Sequence, residues 1–291
     1  MSFPNSGTTY TLDLVSVASN MSMATNYGWE RKDFDNTSTP VMPNTKGPFW
    51  LQPHETHPKS VVLTKTHCGG YCHDCRPRQS AETPHSFMMH CARAITKIIS
   101  EDGELVNEHY VYDYNTIDRA VHLIRDPFDN MVSRYHFDLH KLQKQNDTEL
   151  LERYTDDAAG FDNFCTDKTY DREEHTDSHV DQQVLRLIQD VPCHMDLFRY
   201  VQWHNLAFIT TQNFLKLQTH VLHYEEYSSN FRGTVQSLLH FLELPNTGAY
   251  ADFEDGKSYR DYYSDDQVAA MRNATMMLAS PLTWKHLERY F

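Results

Sequence analysis

Three short apolar runs, each closing on a polar loop, constrain the fold of this chain more than any other feature. Residues 61–63 of "VVLTKTH", 121, 123 and 124 of "AVHLIRDP" and 221–222 of "THVLHYEE" make apolar runs too short for a helix. They have the length of buried strands. Between and around them lie stripes at helical spacing. Tyr10, Leu14, Val15, Ala18 and Met21 mark a helix over 6–23, and Phe87, Cys91, Ala94, Ile95 and Ile98 mark a second. Phe128, Met131, Val132, Tyr135 and Leu139 mark a third with Pro127 at its first position, and Phe231, Val235, Leu238, Leu239 and Leu242 a fourth with Ser228 as its cap. Near the end, Ser264 precedes Asp265 and Asp266, a cap followed by acids that complement the helix dipole. Strands alternating with helices imply an α/β protein: one three-layer domain over 1–291, its central parallel sheet flanked by helices.

Composition narrows the partners. The 291 residues are 40% hydrophobic, enough for a sizeable core, and the net charge of −14 argues against coating nucleic acid. No run approaches the eighteen or more apolar residues of a membrane span, and no basic-then-apolar leader opens the chain. Five of twelve prolines fall in 31–60, which reads as a long irregular connection. Residues 138–182 carry thirteen acids against five bases and read as a solvated acidic insertion. Six cysteines fit either disulfides or free thiols, and sequons at Asn20, Asn36, Asn146 and Asn273 lean towards a secretory lumen.

The chemistry begins at "FPNSGTTY". Small residues leading into a helix present free backbone N–H groups and the positive end of a dipole, and Ser6, Thr8 and Thr9 add hydroxyls. Such a loop holds a phosphate or sulfate. A nucleoside triphosphatase loop would read G-x-x-x-x-G-K-[ST], and neither the first glycine nor the lysine is present. Two further strand ends carry donors: Lys65, Thr66 and His67 after one, Arg125 after another with Ser133 eight residues on. In a parallel sheet, ligands bind beyond the carboxyl ends of the strands, so these three stretches are expected to converge on one crevice.

These stretches resemble the sulfotransferases that use 3′-phosphoadenosine 5′-phosphosulfate (PAPS). "FPNSGTTY" is similar to the family's 5′-phosphosulfate loop, commonly YPKSGTTW, and "IRDPFDNMVSRYH" to its 3′-phosphate motif, commonly RNPxDxxVSxYxH. "TKTH" resembles the segment of its catalytic base, and "VLHYEEYSSNFRGTVQSLLHFLEL" its later strand and helix. The resemblance implies that Asn5, Ser6, Gly7, Thr8 and Thr9 hold the phosphosulfate, Arg125 and Ser133 the 3′-phosphate, and that Tyr224 lies near the adenine. It implies His67 as general base, a role that suits imidazole near neutral pH. No metal is required. Asn5 stands where the family carries a lysine, an amide that donates a hydrogen bond but no charge, and Lys65 is the candidate to supply the missing cation. The RKGxxGxW loop common in the family's cytosolic members is not found, with Gly256, Lys257 and Arg260 in its place, which favours a divergent or Golgi-like branch. The expected activity is sulfuryl transfer to a hydroxyl or amine, carbohydrate favoured; the alternative is a catalytically impaired nucleotide-binding protein.

Two details stay open at this level. "HCGGYCHDC" packs Cys68, Cys72, Cys75 and His73 as a disulfide-tied or reduced loop, or a zinc site. Trp50 either rims the acceptor pocket or is packed. Only residues 1–3 precede the loop. The reading therefore expects a truncated chain whose missing part held the strand and a membrane anchor: Golgi lumen if so, cytoplasm if the chain is complete.

Overall fold

In the computed structural model, residues 1–3 take the place of the strand that should precede the loop. The Leu123 amide donates to the Met1 carbonyl at 3.0 Å and the Ser2 amide to the Thr66 carbonyl at 3.3 Å, so this short segment is hydrogen-bonded on both edges. The structure describes residues 1–30, 39–51, 61–70, 82–100, 102–176, 181–254 and 258–291, with the side chains of 169–176 left aside. By contact density the chain forms two units: Met1–Gly69, Pro84–Ile124 and Ile209–Asp255 make the first, and Gly70–Thr83, Arg125–Phe208 and Gly256–Phe291 the second.

The first unit is mixed α/β. Helix α1 (Thr8–Ser19) ends where Asn20 turns left-handed at φ 55°, short of the expected residue 23. Strand β1 (Ala24–Thr25) pairs antiparallel with β2 (Phe49–Trp50) and parallel with β3 (Thr64–Lys65). Trp50 is therefore a packed strand residue, 7% exposed. Helix α2 (Pro84–Cys91) leads into β4 (Arg93–Ile99), which forms an antiparallel hairpin with β5 (Leu105–Val111). Strand β6 (Arg119–Ile124) pairs in parallel with β7 (Gln218–His223), and a single parallel bridge joins Ser2 to Leu123. The parallel character is real but confined to these short pairings.

One expectation is corrected here. The stripe from Phe87 to Ile98 was read as a single helix, yet helix gives way to strand after Cys91. The Cys91 carbonyl accepts from Asn26 Nδ2 at 2.9 Å and from the Tyr112 hydroxyl at 3.3 Å, and Cys91 is disulfide-bonded to Cys68. Beyond that fixed point Ile95, Thr96, Ile98 and Ile99 are β-branched, and they gain ladder partners on β5. Burial pushes the Tyr112 phenol up to about 12, against the lowering effect of its bond to Asn26.

In the second unit, helix α3 (Pro127–Gln145) starts as expected: Pro127 opens it and Asp126 accepts from the Phe128 amide at 2.8 Å. Helices α4 (Thr148–Arg153), α5 (Ala158–Thr176), α6 (Gln182–Ile188) and α7 (His194–Phe208) follow. The acidic segment is thus largely helical. Its acids are partly neutralised, as in Arg153 with Asp167 at 2.6 Å, while Phe161 and Phe164 are buried and Cys165 bonds to Cys193.

A π-helical turn (Ile209–Phe214) and β7 belong to the first unit, as does α8 (Glu226–Phe241). Ser228 does not cap α8: the helix begins at Glu226 and breaks at Asn230, whose φ is −152°. Leu12, Val15 and Ala18 of α1 share a core with Val121, Leu123, Leu222, Val235 and Leu238. In the second unit, α9 (Asp265–Leu278) carries the expected Ser264 cap as a full capping box with Gln267, and α10 (Pro281–Leu287) follows. No described helix is long and apolar enough to cross a membrane.

The Cys165–Cys193 bond closes a sequence separation of 28 residues. In the chain-entropy account its replacement by two serines costs about 3.6 kcal/mol. Urea denaturation of the variant beside wild type measures this, and an unchanged midpoint would exclude a structural role for the bond.

Candidate active site

The loop is shaped by two left-handed residues. Asn5 has φ 62° and Gly7 has φ 87°. Asparagine tolerates that region better than most residues, which gives position 5 a backbone reason for its identity. At Gly7 a second constraint operates: a Cβ there would lie 2.2 Å from Cε2 of Tyr224. Tyr224 is anchored in turn by its own amide, which donates to the Ile124 carbonyl at 2.8 Å, and by edge contacts with Tyr10, Tyr227 and Phe253. The backbone of the loop is thus pressed against an aromatic wall, a cradle that fits a phosphosulfate bound through main-chain N–H groups. Ser6 is fully buried, and Thr8 and Thr9 open α1.

His67 is wired to the same segment. Its Nδ1 lies 2.9 Å from the Ser2 carbonyl and 3.4 Å from Ser2 Oγ, and Ser2 Oγ lies 2.5 Å from Thr8 Oγ1. A carbonyl can only accept, so Nδ1 carries the proton of the neutral ring and the lone pair is on Nε2. The His67 amide donates to the Tyr27 hydroxyl at 2.9 Å, and the two rings stack with centroids 5.7 Å apart. The imidazole is fixed in tautomer and in plane.

Lys65, 8% exposed, donates to Thr9 Oγ1 at 3.1 Å and to Glu30 Oε1 at 2.5 Å. The other Glu30 oxygen accepts from Thr25 Oγ1 at 2.7 Å. The cation therefore reaches the loop, but with a counter-ion attached. Glu30 and Tyr27, together with Ser2, are site residues that sequence reasoning missed. Glu30 is 35 positions from Lys65, and no spacing signals the pair.

Asn5, Ser6, Gly7, Thr8, Thr9, Lys65, His67 and Tyr224 all belong to the first unit; Arg125 and Ser133 belong to the second. There the Arg125 carbonyl accepts from the Tyr200 hydroxyl at 2.5 Å, and Ser133 is half-buried on α3. Burial raises the Asp129 carboxyl, opposed by the Tyr259 amide at 2.8 Å and by the charges of Arg125 and Arg260. Arg260 lies over the Phe128 ring at 3.9 Å. Arg125 and Arg260 thus bring two positive charges to the first turn of α3. Gly256 and Lys257 lie outside the described residues, as do Cys72, His73 and Cys75. Cys68 is committed to Cys91 and is not a thiolate for zinc.

Residues 115–283 match the family model of the sulfotransferase domain, more than half of the chain. The chain belongs to that family. The match includes Arg125, Ser133 and Tyr224, whereas the loop, Lys65 and His67 lie upstream of it. No curated protein and no solved structure matches the chain.

The packing of Tyr224 on Gly7 sets a quantitative expectation. Gly7→Ala destabilises by about 2–3 kcal/mol, combining the left-handed φ with the clash. In a Tyr224→Ala background the same change costs about 1 kcal/mol, the backbone part alone. A double-mutant cycle by denaturant unfolding checks it, and equal costs in both backgrounds would refute the contact.

Proposed function

We propose that the chain transfers a sulfuryl group from PAPS to a hydroxyl or amine acceptor, carbohydrate being the favoured class, with His67 as general base. The observation that carries this reading is the fixed tautomer of His67, whose Nδ1 faces the Ser2 carbonyl at 2.9 Å in the segment that bears the loop. When bound, PAPS supplies an activated sulfuryl group whose departure leaves adenosine 3′,5′-bisphosphate. Ser6, Gly7, Thr8 and Thr9 bind the phosphosulfate through N–H and hydroxyl groups, while Arg125 and Ser133 take the 3′-phosphate. Tyr224 flanks the loop and orients it. His67 Nε2 accepts the proton of the acceptor as its oxygen or nitrogen bonds to sulfur. Lys65, held at Thr9, reaches the loop and is the cation we assign to charge developing on the leaving phosphate.

A second reading rests on a specific observation. Asn5 brings no charge, and Lys65 is neutralised by Glu30 at 2.5 Å. A protein that binds the nucleotide but turns over slowly or not at all would show this arrangement.

Transfer of labelled sulfate from PAPS to a panel of glycans and alcohols tests the first reading. His67→Ala is expected to lower kcat by about a hundred- to ten-thousand-fold with little change in KM; undiminished transfer removes His67 as base. Asn5→Lys separates the two readings. A rise in kcat of about tenfold or more supports a catalyst limited by charge. Calorimetric binding of adenosine 3′,5′-bisphosphate, with no turnover in wild type or in Asn5→Lys, favours the binding protein.

A further inference from the structure

We propose that the first unit holds a second binding site, for a small uncharged molecule that is mostly apolar and bears one hydrogen-bonding group. The site is a cavity of about 280 Å³ with Leu63, Val121, Leu215, Leu217 and Leu242 among its lining residues. Engineered apolar cavities of about 150 Å³ already admit benzene, so this one has room for a fused bicyclic ring.

One wall is the π-helical turn Ile209–Phe214, a geometry that is rare in proteins and concentrated at functional sites. The turn supplies Thr210 to the lining. Thr210 is 1% exposed, and among the described residues its Oγ1 has no hydrogen-bond partner. Its backbone carbonyl, by contrast, is satisfied by the Leu215 amide at 2.9 Å. Buried hydroxyls nearly always find a partner, and one that lines a cavity without a protein partner is placed to bond a ligand. The ionisable lining groups are engaged within the protein: Arg119 with Asp118 at 3.0 Å and with Glu243, and the Met1 amino group with the Val121 carbonyl at 2.7 Å. The occupant is therefore neutral.

The cavity is distinct from the sulfuryl-transfer site. Thr64 and Thr66 line it, while Lys65 between them bonds to Thr9 and Glu30. Alternation along a strand puts Thr64 and Lys65 on opposite faces of β3. The inference does not depend on the proposed activity, and its test uses no turnover.

The probes are indole and indene, nearly identical in shape, of which only indole has an N–H for Thr210 Oγ1 to accept. Binding to the full chain is followed by calorimetry or ligand-observed NMR. Saturable binding of both is expected, with indole about tenfold tighter, the value of one hydrogen bond. Thr210→Val keeps the volume, removes the hydroxyl and should equalise the two affinities. Leu215→Trp fills the cavity and should abolish both; if that variant does not fold, Thr210→Val decides alone. No saturable binding to wild type, or an indole preference that survives Thr210→Val, overturns the proposal, and so does binding retained in a folded Leu215→Trp.

Discussion

The candidate active site depends on the pairing of three residues. Residues 1–3 are held to β6 through the Leu123 amide and to the end of β3 through Thr66, and both sides of the site start from that seam. On one side the chain leaves Phe3 into the loop and α1. On the other, His67 follows Thr66 and turns its Nδ1 back to the carbonyl of Ser2. His67 and the loop are therefore placed by one set of backbone hydrogen bonds, which side-chain substitution cannot easily displace. A site assembled in this way is pre-organised before any ligand arrives, which is the condition for electrostatic and proton-transfer effects to act without reorganisation.

Electrostatics within the first unit are more balanced than a sulfuryl transferase would suggest. Lys65 sits at the loop with Glu30 as counter-ion, and Glu30 is itself held by Thr25. Lys65 is 8% exposed, so removing Glu30 leaves its ammonium buried and uncompensated at a cost of about 3–5 kcal/mol, whereas Glu30, 25% exposed, keeps access to solvent when Lys65 is removed. The pair thus fixes Lys65 in position while cancelling its field at distance. Position 5 completes the same trade: asparagine suits the left-handed backbone at φ 62° but leaves the loop without the charge that the family usually places there. Local geometry and charge supply are separate demands, and this chain satisfies the first more fully.

Much of this was legible in the sequence, because the signals were local. Pro127 at the start of α3, Ser264 ahead of Asp265 and Asp266, and the apolar runs that became β6 and β7 all depend on residues close in the chain. The loop was legible for the same reason. What failed was long-range. A helical stripe through Cys91 satisfied periodicity, but the disulfide to Cys68 and the bonds from Asn26 and Tyr112 stopped the helix there. Ser228 had a capping residue's identity without its backbone, since α8 breaks two residues later at Asn230. Glu30 and Tyr27 entered the site through partners 35 and 40 positions away, which no spacing rule encodes.

The bond between Cys68 and Cys91 joins the residue after His67 to the last turn of α2. The mount of the proposed base is therefore finished by oxidation, and a chain made in a thiol-rich compartment would be assembled without it. For anyone preparing this protein, the choice of host and of reductant is already a choice about the geometry of the site.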